Sequence, residues 1–163
     1  MKNYMKLELA AIGENESFAR SAVAAFALCL NPSLAELSDI KPAVSEAVTN
    51  AVVTAYGKES REHSLWIECR ADGEEDGGVL HITVTDGGCG IEDVERALLP
   101  FYSPLENAAR SGMGFTIMQT FMDGFSLESE RGKGTKVTML RYIGREKIPN
   151  EKNQDAVKER TDA

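Results

Sequence analysis

The sequence predicts a single domain of the α+β class, in which helices pack against a β-sheet. Residues 42–57 place apolar side chains at the spacing of one helix face. Five other segments have the composition or the alternating pattern of strands. The length of 163 residues suits one domain with a real core. The apolar face of the helix consists of Val44, Ala47, Val48, Ala51, Val52 and Ala55.

The first part of the chain reads as a strand followed by two helices. Residues 5–11 alternate apolar with polar side chains, as a strand does. Residues 17–30 form a helix that apolar side chains nearly encircle, so this helix is either well buried in its own domain or buries a second face in a partner. Ser33 is a suitable N-cap for the next helix, residues 34–56. Pro42 lies inside that helix and predicts a kink or a helix boundary just before it, because proline lacks the backbone donor.

The second part of the chain combines strands with short helices. Two strands joined by an acidic turn lead into a short helix, a loop with two prolines, another helix and a closing pair of strands. In order, these elements span residues 64–71, 79–85, 92–98, 100–111, 113–122, 125–129 and 135–143. From Arg145 onward the chain is charged and nearly free of large apolar residues, which predicts a disordered or loosely helical tail. We therefore expect a domain of residues 1–143 and a tail of residues 144–163.

The composition argues against several classes of function. The formal net charge of -8 disfavours a general affinity for nucleic acid or anionic membranes, since such binding depends on Lys and Arg. No apolar run approaches the roughly 20 residues of a membrane helix, and residues 1–10 lack the apolar stretch of a signal peptide, so we expect a cytoplasmic protein. Cys29, Cys69 and Cys89 form no CxxC pair, which indicates reduced thiols rather than disulfides or a zinc site.

Glu46 and Asn50 are the first candidates for a chemical role. Residues four apart on a helix are neighbours, so the carboxylate and the amide project side by side. A base beside a neutral oxygen ligand suits a magnesium-nucleotide site in which Asn50 holds the metal and Glu46 receives a proton. Taken alone, such a pair is more often a solvated helix face. The glycine motifs further along the chain favour the magnesium-nucleotide site over the solvated helix face.

The second candidate is the motif D-x-G-x-G-I, residues 86–91, at the end of a predicted strand. Asp86 shares one strand face with Leu80, Ile82 and Val84 and is therefore directed toward the core side. A carboxylate in that position must find donors or raise its pKa. The exocyclic amine of adenine is a donor of suitable shape. The alternative is a tight turn in which Asp86 caps the following helix.

Two further glycine turns complete the candidate site. Gly112, Met113 and Gly114 begin the pattern G-x-G-x-x-I at the start of a helix, where backbone amides and the positive end of the helix dipole attract phosphates. No strand precedes this pattern, and no Walker or protein-kinase motif occurs, so neither a Rossmann fold nor a P-loop nor a protein-kinase fold is indicated. Gly134 and Thr135 belong to a third turn, which either contacts a ligand or only connects the two strands of a hairpin.

In their order and spacing, these motifs resemble those of the ATP-binding domain shared by DNA gyrase, the Hsp90 chaperones, histidine kinases and the mismatch-repair MutL proteins. The segments NESFAR, VSEAVTNA and RSGMGFTIM are similar to the sporulation anti-sigma-F factors, small serine kinases of that superfamily. The resemblance covers residues 1–142. It implies a two-layer α/β sandwich, with helices on one face of a mixed, mostly antiparallel sheet, and a homodimer.

The resemblance also implies roles for individual residues. Asn50 would coordinate magnesium, and Glu46 would be the catalytic base. Asp86 would bind the adenine of ATP or ADP, with support from Thr135. The other nucleotide-binding positions that it implies are Gly88, Gly90, Ser111, Gly112, Met113 and Gly114.

Members of that family hold a sigma factor inactive and phosphorylate a serine of an anti-anti-sigma protein, so these two proteins are the expected partners. By the same resemblance, Arg20 would lie at a partner surface. Arg110 would lie near the transferred phosphate. The loop before it lacks the lysine that relatives commonly carry there, so Arg110 is the nearest cation. Two alternatives are a binding module in which nucleotide only sets the shape of the partner surface, and a detached histidine-kinase catalytic domain. Against the latter, His63 and His81 are the only histidines, and neither lies in a helical dimerisation segment.

Overall fold

A five-stranded antiparallel sheet forms one layer of the computed structural model, which describes residues 1–57, 59–74, 76–101 and 112–144. The strands are β1 (Lys2–Ala11), β2 (Ser60–Glu74), β3 (Gly77–Asp86), β4 (Gly124–Ser129) and β5 (Thr135–Ile143). Their order across the sheet is β1-β2-β3-β5-β4. The predicted α+β class is confirmed. All pairings between these described strands are antiparallel, so the sheet is antiparallel here rather than mixed.

Helices form the second layer. The α-helices in the described part of the chain are α1 (Glu14–Ala27), α2 (Leu34–Thr49), α3 (Val94–Ala97) and α4 (Gly114–Phe121). A 3-10 turn, Leu28–Leu30, extends α1. A five-residue π-helical turn, Asn50–Thr54, extends α2. The predicted loop 100–111 and the predicted tail fall mostly or wholly outside the described residues, and both remain predictions.

The N-terminus of α2 is fixed by a capping box, as Ser33 predicts. The N–H of Glu36 donates to Ser33 Oγ at 3.2 Å, and the N–H of Ser33 donates to Glu36 Oε2 at 2.7 Å. The helix then passes through Pro42 and ends at Thr49, so the boundary considered before Pro42 does not exist. Burial explains this continuity, because Ile40, Ala43 and Val44 on either side of Pro42 are fully buried and their packing holds the helix across the missing hydrogen bond.

The core lies between the helices and one face of the sheet. Its members come from α1, α2, α4 and the three central strands. Along β3, Leu80, Ile82 and Val84 are buried on the face that the alternation predicts. On β2, Leu65 and Ile67 are fully buried, whereas Trp66 between them is 39% exposed. The helices therefore cover one face of the sheet.

Helix α1 and the 3-10 turn that extends it carry apolar side chains on an exposed side as well as on the buried side. Ala19, Val23 and Ala27 are fully buried, but Phe18 is 54% exposed and Leu28 is 59% exposed. The helix is therefore buried on one side only within the described part of its own domain. Burial of its second apolar face in a partner remains a prediction. No helix in the described ranges is both long and apolar enough to span a bilayer.

A partly buried ion pair connects α2 with β5. Arg141 on β5 donates from Nη2 to Asp39 Oδ2 on α2 at 2.6 Å, and from Nη1 to the carbonyl oxygen of Phe121 at 2.9 Å. The arginine is only 9% exposed. One side chain thus links the start of α2, the end of α4 and β5, the elements that also form the walls of the cavity described next.

Candidate functional site

A cavity of about 1000 Å³ opens between the C-terminal end of α2, the end of β3 and the start of α4. This volume lies at the upper end of the range for small-molecule sites in proteins. Seven residues that the sequence singles out line this cavity together, namely Glu46, Asn50, Asp86, Gly90, Gly112, Gly114 and Thr135. These dispersed motifs therefore meet around one cavity in the described part of the chain, and the roles assigned to the individual residues remain predictions.

Glu46 and Asn50 lie side by side against the first residue of α4. A Cβ placed on Gly114 would lie 3.0 Å from Glu46 Oε2 and 3.4 Å from Asn50 Nδ2. Any larger residue at this position would push against both polar side chains. Glycine at position 114 therefore lets the start of α4 approach the acid and the amide closely. This arrangement brings helix N–H groups, a carboxylate and an amide oxygen to one end of the cavity.

The π-helical turn begins at Asn50. The N–H of Ala55 donates to the carbonyl oxygen of Asn50 at 3.1 Å, a bond that spans five residues instead of four. Single π turns inside helices are frequent at functional sites. The turn still buries Ala51 and Val52, as the apolar face of the helix predicts. The residue that follows the turn, Ala55, accepts the N–H of Cys89 in the loop after Asp86 at 2.8 Å.

Asp86 ends β3 on the buried face and is only 7% exposed. Burial raises the pKa of its carboxyl group, and hydrogen bonds from the N–H groups of Gly88 and Thr135 partly offset that rise. The Gly88 N–H donates to Asp86 Oδ1 at 2.9 Å. A buried carboxylate at the wall of a cavity is well suited to accept a hydrogen bond from a ligand.

The loop after Asp86 requires glycine at two positions for different reasons. Gly90 has a φ of +70°, which favours glycine. Gly88 approaches the end of the π turn so closely that an added Cβ would lie 2.5 Å from the carbonyl carbon of Ala55. Gly88 therefore lies behind the cavity wall and does not line the cavity itself.

We expect Gly88→Ala to destabilise the fold and Gly87→Ala to be nearly neutral. The new Cβ at position 88 would meet backbone atoms that cannot rotate away, whereas at position 87 it would lie 3.6 Å from Tyr56 Oη, an ordinary contact. Overpacking of this kind costs about 1–3 kcal/mol. Urea unfolding of both variants measures the difference. Equal midpoints for the two variants would contradict the close approach at Gly88.

Thr135 begins β5 directly opposite Asp86. Its hydroxyl lies 2.8 Å from Ser129 Oγ on β4. Ser129 also accepts a hydrogen bond from the N–H of Ile91 at 2.8 Å and lies 2.9 Å from the carbonyl oxygen of Gly134. Ser129 therefore joins both glycine turns to Thr135. Sequence reasoning missed this serine, because nothing in its local sequence distinguishes it from other strand residues.

Comparisons with known proteins agree with this geometry. Residues 10–141 match the model of the histidine kinase-like ATPase domain family. The chain is 47% identical over 141 residues to an anti-sigma F factor from Clostridium kluyveri, covering 86% of this chain and 95% of the relative. It is 48% identical over 143 residues to one from Caldanaerobacter subterraneus, covering 88% of this chain and 96% of the relative. The chain belongs to the anti-sigma F factor family.

A solved structure supports the fold of this anti-sigma F factor family member. The RsbU and RsbW domains of a Mycobacterium tuberculosis protein superpose with a TM-score of 0.60 at 17% identity, over 88% of this chain and 33% of that larger chain. At this identity the likeness concerns the fold alone. The two-layer arrangement that the resemblance implies is therefore confirmed.

Arg20 does not line the cavity but is connected to its wall. Its Nη1 donates to Ser45 Oγ on α2 at 2.9 Å and lies 3.4 Å from Glu16 Oε1. Glu16 in turn accepts a hydrogen bond from Thr49 Oγ1 at 3.0 Å, and Thr49 lines the cavity. This network joins α1 to α2 on the turns that carry Glu46 and Asn50. In this anti-sigma F factor family member, the predicted partner residue is thus linked to the cavity wall by side-chain contacts.

The remaining predicted positions have different placements. Arg110 and Ser111 fall outside the described residues, so their roles remain predictions. Met113 is the N-cap residue of α4 and is not among the residues that line the cavity. Four charged residues that sequence reasoning overlooked do line it, namely Glu92, Asp93, Arg96 and Arg131. Glu92 and Arg131 form an exposed ion pair, with Nη1 and Oε1 3.6 Å apart.

The residues at the cavity fit a magnesium ion that is held mainly by a nucleotide. Within the described ranges there is no cluster of three or more His, Cys, Asp or Glu side chains that would form a metal site by itself. Magnesium in nucleotide enzymes is commonly held by one or two protein oxygens together with phosphates and water. The Asn50 side-chain oxygen, at the cavity wall beside Glu46, is a suitable protein ligand for such an ion.

Proposed function

We propose that this protein is a sporulation anti-sigma factor that is also an ATP-dependent protein serine kinase. It would hold a sigma factor inactive and phosphorylate a serine of an anti-anti-sigma protein. It would act as a cytoplasmic homodimer, without direct contact to nucleic acid. The observation that carries the proposal is the meeting of Glu46, Asn50 and Asp86 around one cavity, in a chain of the anti-sigma F factor family.

Asp86 and Thr135 would form the base end of the cavity. The Asp86 carboxylate is buried and already accepts the N–H groups of Gly88 and Thr135, and because a carboxylate has about four acceptor positions, it can accept the amine of adenine as a further donor. The Thr135 hydroxyl, held in place by Ser129, would support the same contact. Together these groups would favour ATP and ADP over nucleotides whose base lacks an amine at that position.

Glu46, Asn50 and the start of α4 would form the phosphate end. Backbone N–H groups after Gly112 and Gly114 would bind phosphate oxygens at the positive end of the helix dipole. Magnesium, when bound, supplies positive charge that offsets the negative charge of the phosphates. Glu46 would accept the proton of the incoming serine hydroxyl. Asn50, one helical turn away, would hold the ion so that the carboxylate stays available for the proton.

The partner surface would include α1. Arg20 is partly exposed there, with 36% of its side chain accessible, and Phe18 exposes an apolar ring on the same helix. Because the Arg20 network reaches Thr49 at the cavity wall, the occupancy of the cavity would affect how α1 is held. Arg110, outside the described residues, would approach the transferred phosphate.

Incubation with magnesium, γ-labelled ATP and an anti-anti-sigma protein tests the proposal. We expect label on the partner that resists acid and is lost when the acceptor serine of the partner is replaced by alanine. Label that acid removes would indicate histidine chemistry, as in a detached histidine-kinase domain. Nucleotide-dependent complex formation without any label would indicate a binding module. Either of the last two results would contradict the kinase proposal.

A further inference from the structure

The loop that carries Asp86 rests on the end of the π turn. The N–H of Cys89 donates to the carbonyl oxygen of Ala55 at 2.8 Å, and Cys89 Sγ lies 3.6 Å from the carbonyl oxygen of Thr54. Gly88 packs directly against the backbone of Ala55. Two consecutive residues of this loop, Gly88 and Cys89, therefore contact the last residue of the π turn, Thr54, and the residue that follows it, Ala55. The position of Asp86 at the cavity wall therefore depends on the chain segment that begins at Asn50.

Tyr56 adds a further contact to this loop through its hydroxyl group. Its Oη donates to the carbonyl oxygen of Ser64 on β2 at 2.7 Å and accepts the N–H of Gly87 at 2.9 Å. A tyrosine hydroxyl has one proton to donate, so both of its roles are fixed by these partners. The ring is stacked on His63, with centroids 4.4 Å apart and planes 7° apart. The hydroxyl is therefore held between the sheet and the loop by a ring that is itself packed.

We propose that Tyr56 is a positioning residue that sets the preference of the cavity for adenine. Tyr56 is not among the residues that line the cavity, so it acts through Asp86. Only two residues connect the Tyr56 contact with the Asp86 contact. Gly87 donates its N–H to Tyr56 Oη, and the next residue, Gly88, donates its N–H to Asp86 Oδ1 at 2.9 Å. Fixing this backbone therefore fixes the orientation in which the carboxylate accepts the amine of the base. This inference rests on the proposed function, since it assumes that Asp86 contacts the base.

Tyr56→Phe tests the inference because it removes the hydroxyl and keeps the ring that stacks on His63. Affinities for magnesium-ATP and magnesium-ITP are measured by calorimetry, since ITP carries an oxygen in place of the exocyclic amine. We expect the ratio of ATP affinity to ITP affinity to fall by about fivefold, which corresponds to the net free energy of one ordinary hydrogen bond. The loss should come from ATP, whereas ITP binding should change little. Tyr4→Phe, which alters a residue 76% exposed on β1, is the matched control and should keep the wild-type ratio.

A double-mutant cycle separates positioning from general loosening of the structure. In the Asp86→Asn background, Tyr56→Phe should leave the ratio unchanged, because the carboxylate that it positions is absent. Equal losses of ATP and ITP affinity, or an undiminished ratio in Tyr56→Phe, would overturn the inference alone. Failure of the wild-type protein to prefer ATP over ITP would instead overturn the proposed role of Asp86, and the inference with it.

Discussion

Asn50→Ala is expected to abolish the contribution of magnesium to ATP binding. The side-chain oxygen of Asn50 at the cavity wall is the proposed protein ligand of the ion. Loss of groups that only support a metal ligand already costs 10–100-fold in metal affinity, so we expect a loss of roughly 100-fold or more for the ligand itself. Isothermal titration calorimetry with magnesium-ATP measures this change.

The informative comparison is with magnesium absent. Wild-type affinity should fall when the ion is chelated, whereas the affinity of Asn50→Ala should be the same with and without it. Asn3→Ala, at an exposed position of β1, controls for the replacement of asparagine by alanine. Retention of wild-type magnesium-ATP affinity in Asn50→Ala would remove the metal assignment, provided that thermal unfolding shows both variants to be folded.

Glu46→Gln should bind nucleotide normally and transfer phosphate poorly. The amide has the shape of the carboxylate and fits beside Gly114, but it cannot accept the proton of a serine hydroxyl. General base catalysis contributes about 10²–10⁴-fold to the rate, so single-turnover transfer should slow by a factor in this range. Rapid-quench measurement of labelled partner protein, with enzyme in excess of ATP, gives the rate of the chemical step.

Binding and chemistry must be compared in the same variant. Magnesium-ATP affinity of Glu46→Gln should stay within about threefold of wild type, because the carboxylate is assigned to the transition state rather than to the ground state. Glu62→Gln, at an exposed site on β2 outside the cavity, should leave both quantities unchanged. A single-turnover rate equal to that of wild type would exclude Glu46 as the base.

Much of this fold could be predicted from sequence because its elements have clear periods. Asp86 lies on the buried face of β3 because a strand alternates with a period of two, and three apolar residues set the phase. Glu46 and Asn50 are adjacent because a helix repeats every 3.6 residues. Both relations are local, so they follow from spacing without knowledge of the rest of the molecule. The meeting of these residues around one cavity came from the family resemblance.

What the sequence did not reveal depends on contacts between distant residues. Tyr56 reaches Gly87, which is 31 positions away, and Arg141 reaches Asp39, which is 102 positions away. Neither pair leaves a periodic signal, and an isolated tyrosine or arginine has many possible partners. The π turn was missed for a related reason, since one additional residue in a turn leaves the apolar pattern of α2 almost unchanged. The continuity of α2 through Pro42 shows that burial can outweigh a local helix-breaking signal.

The capping residue Glu36 has a second attachment with a practical consequence. While Oε2 caps the helix, Oε1 accepts the N–H of Gly144 at 3.0 Å, so the last described residue is tethered beside the start of α2. Fourteen residues of helix separate Glu36 from Asn50, which amounts to about 21 Å at 1.5 Å per residue. A fluorescent label or fusion partner joined just after Gly144 would therefore start at the opposite end of α2 from Asn50 and the cavity that it lines.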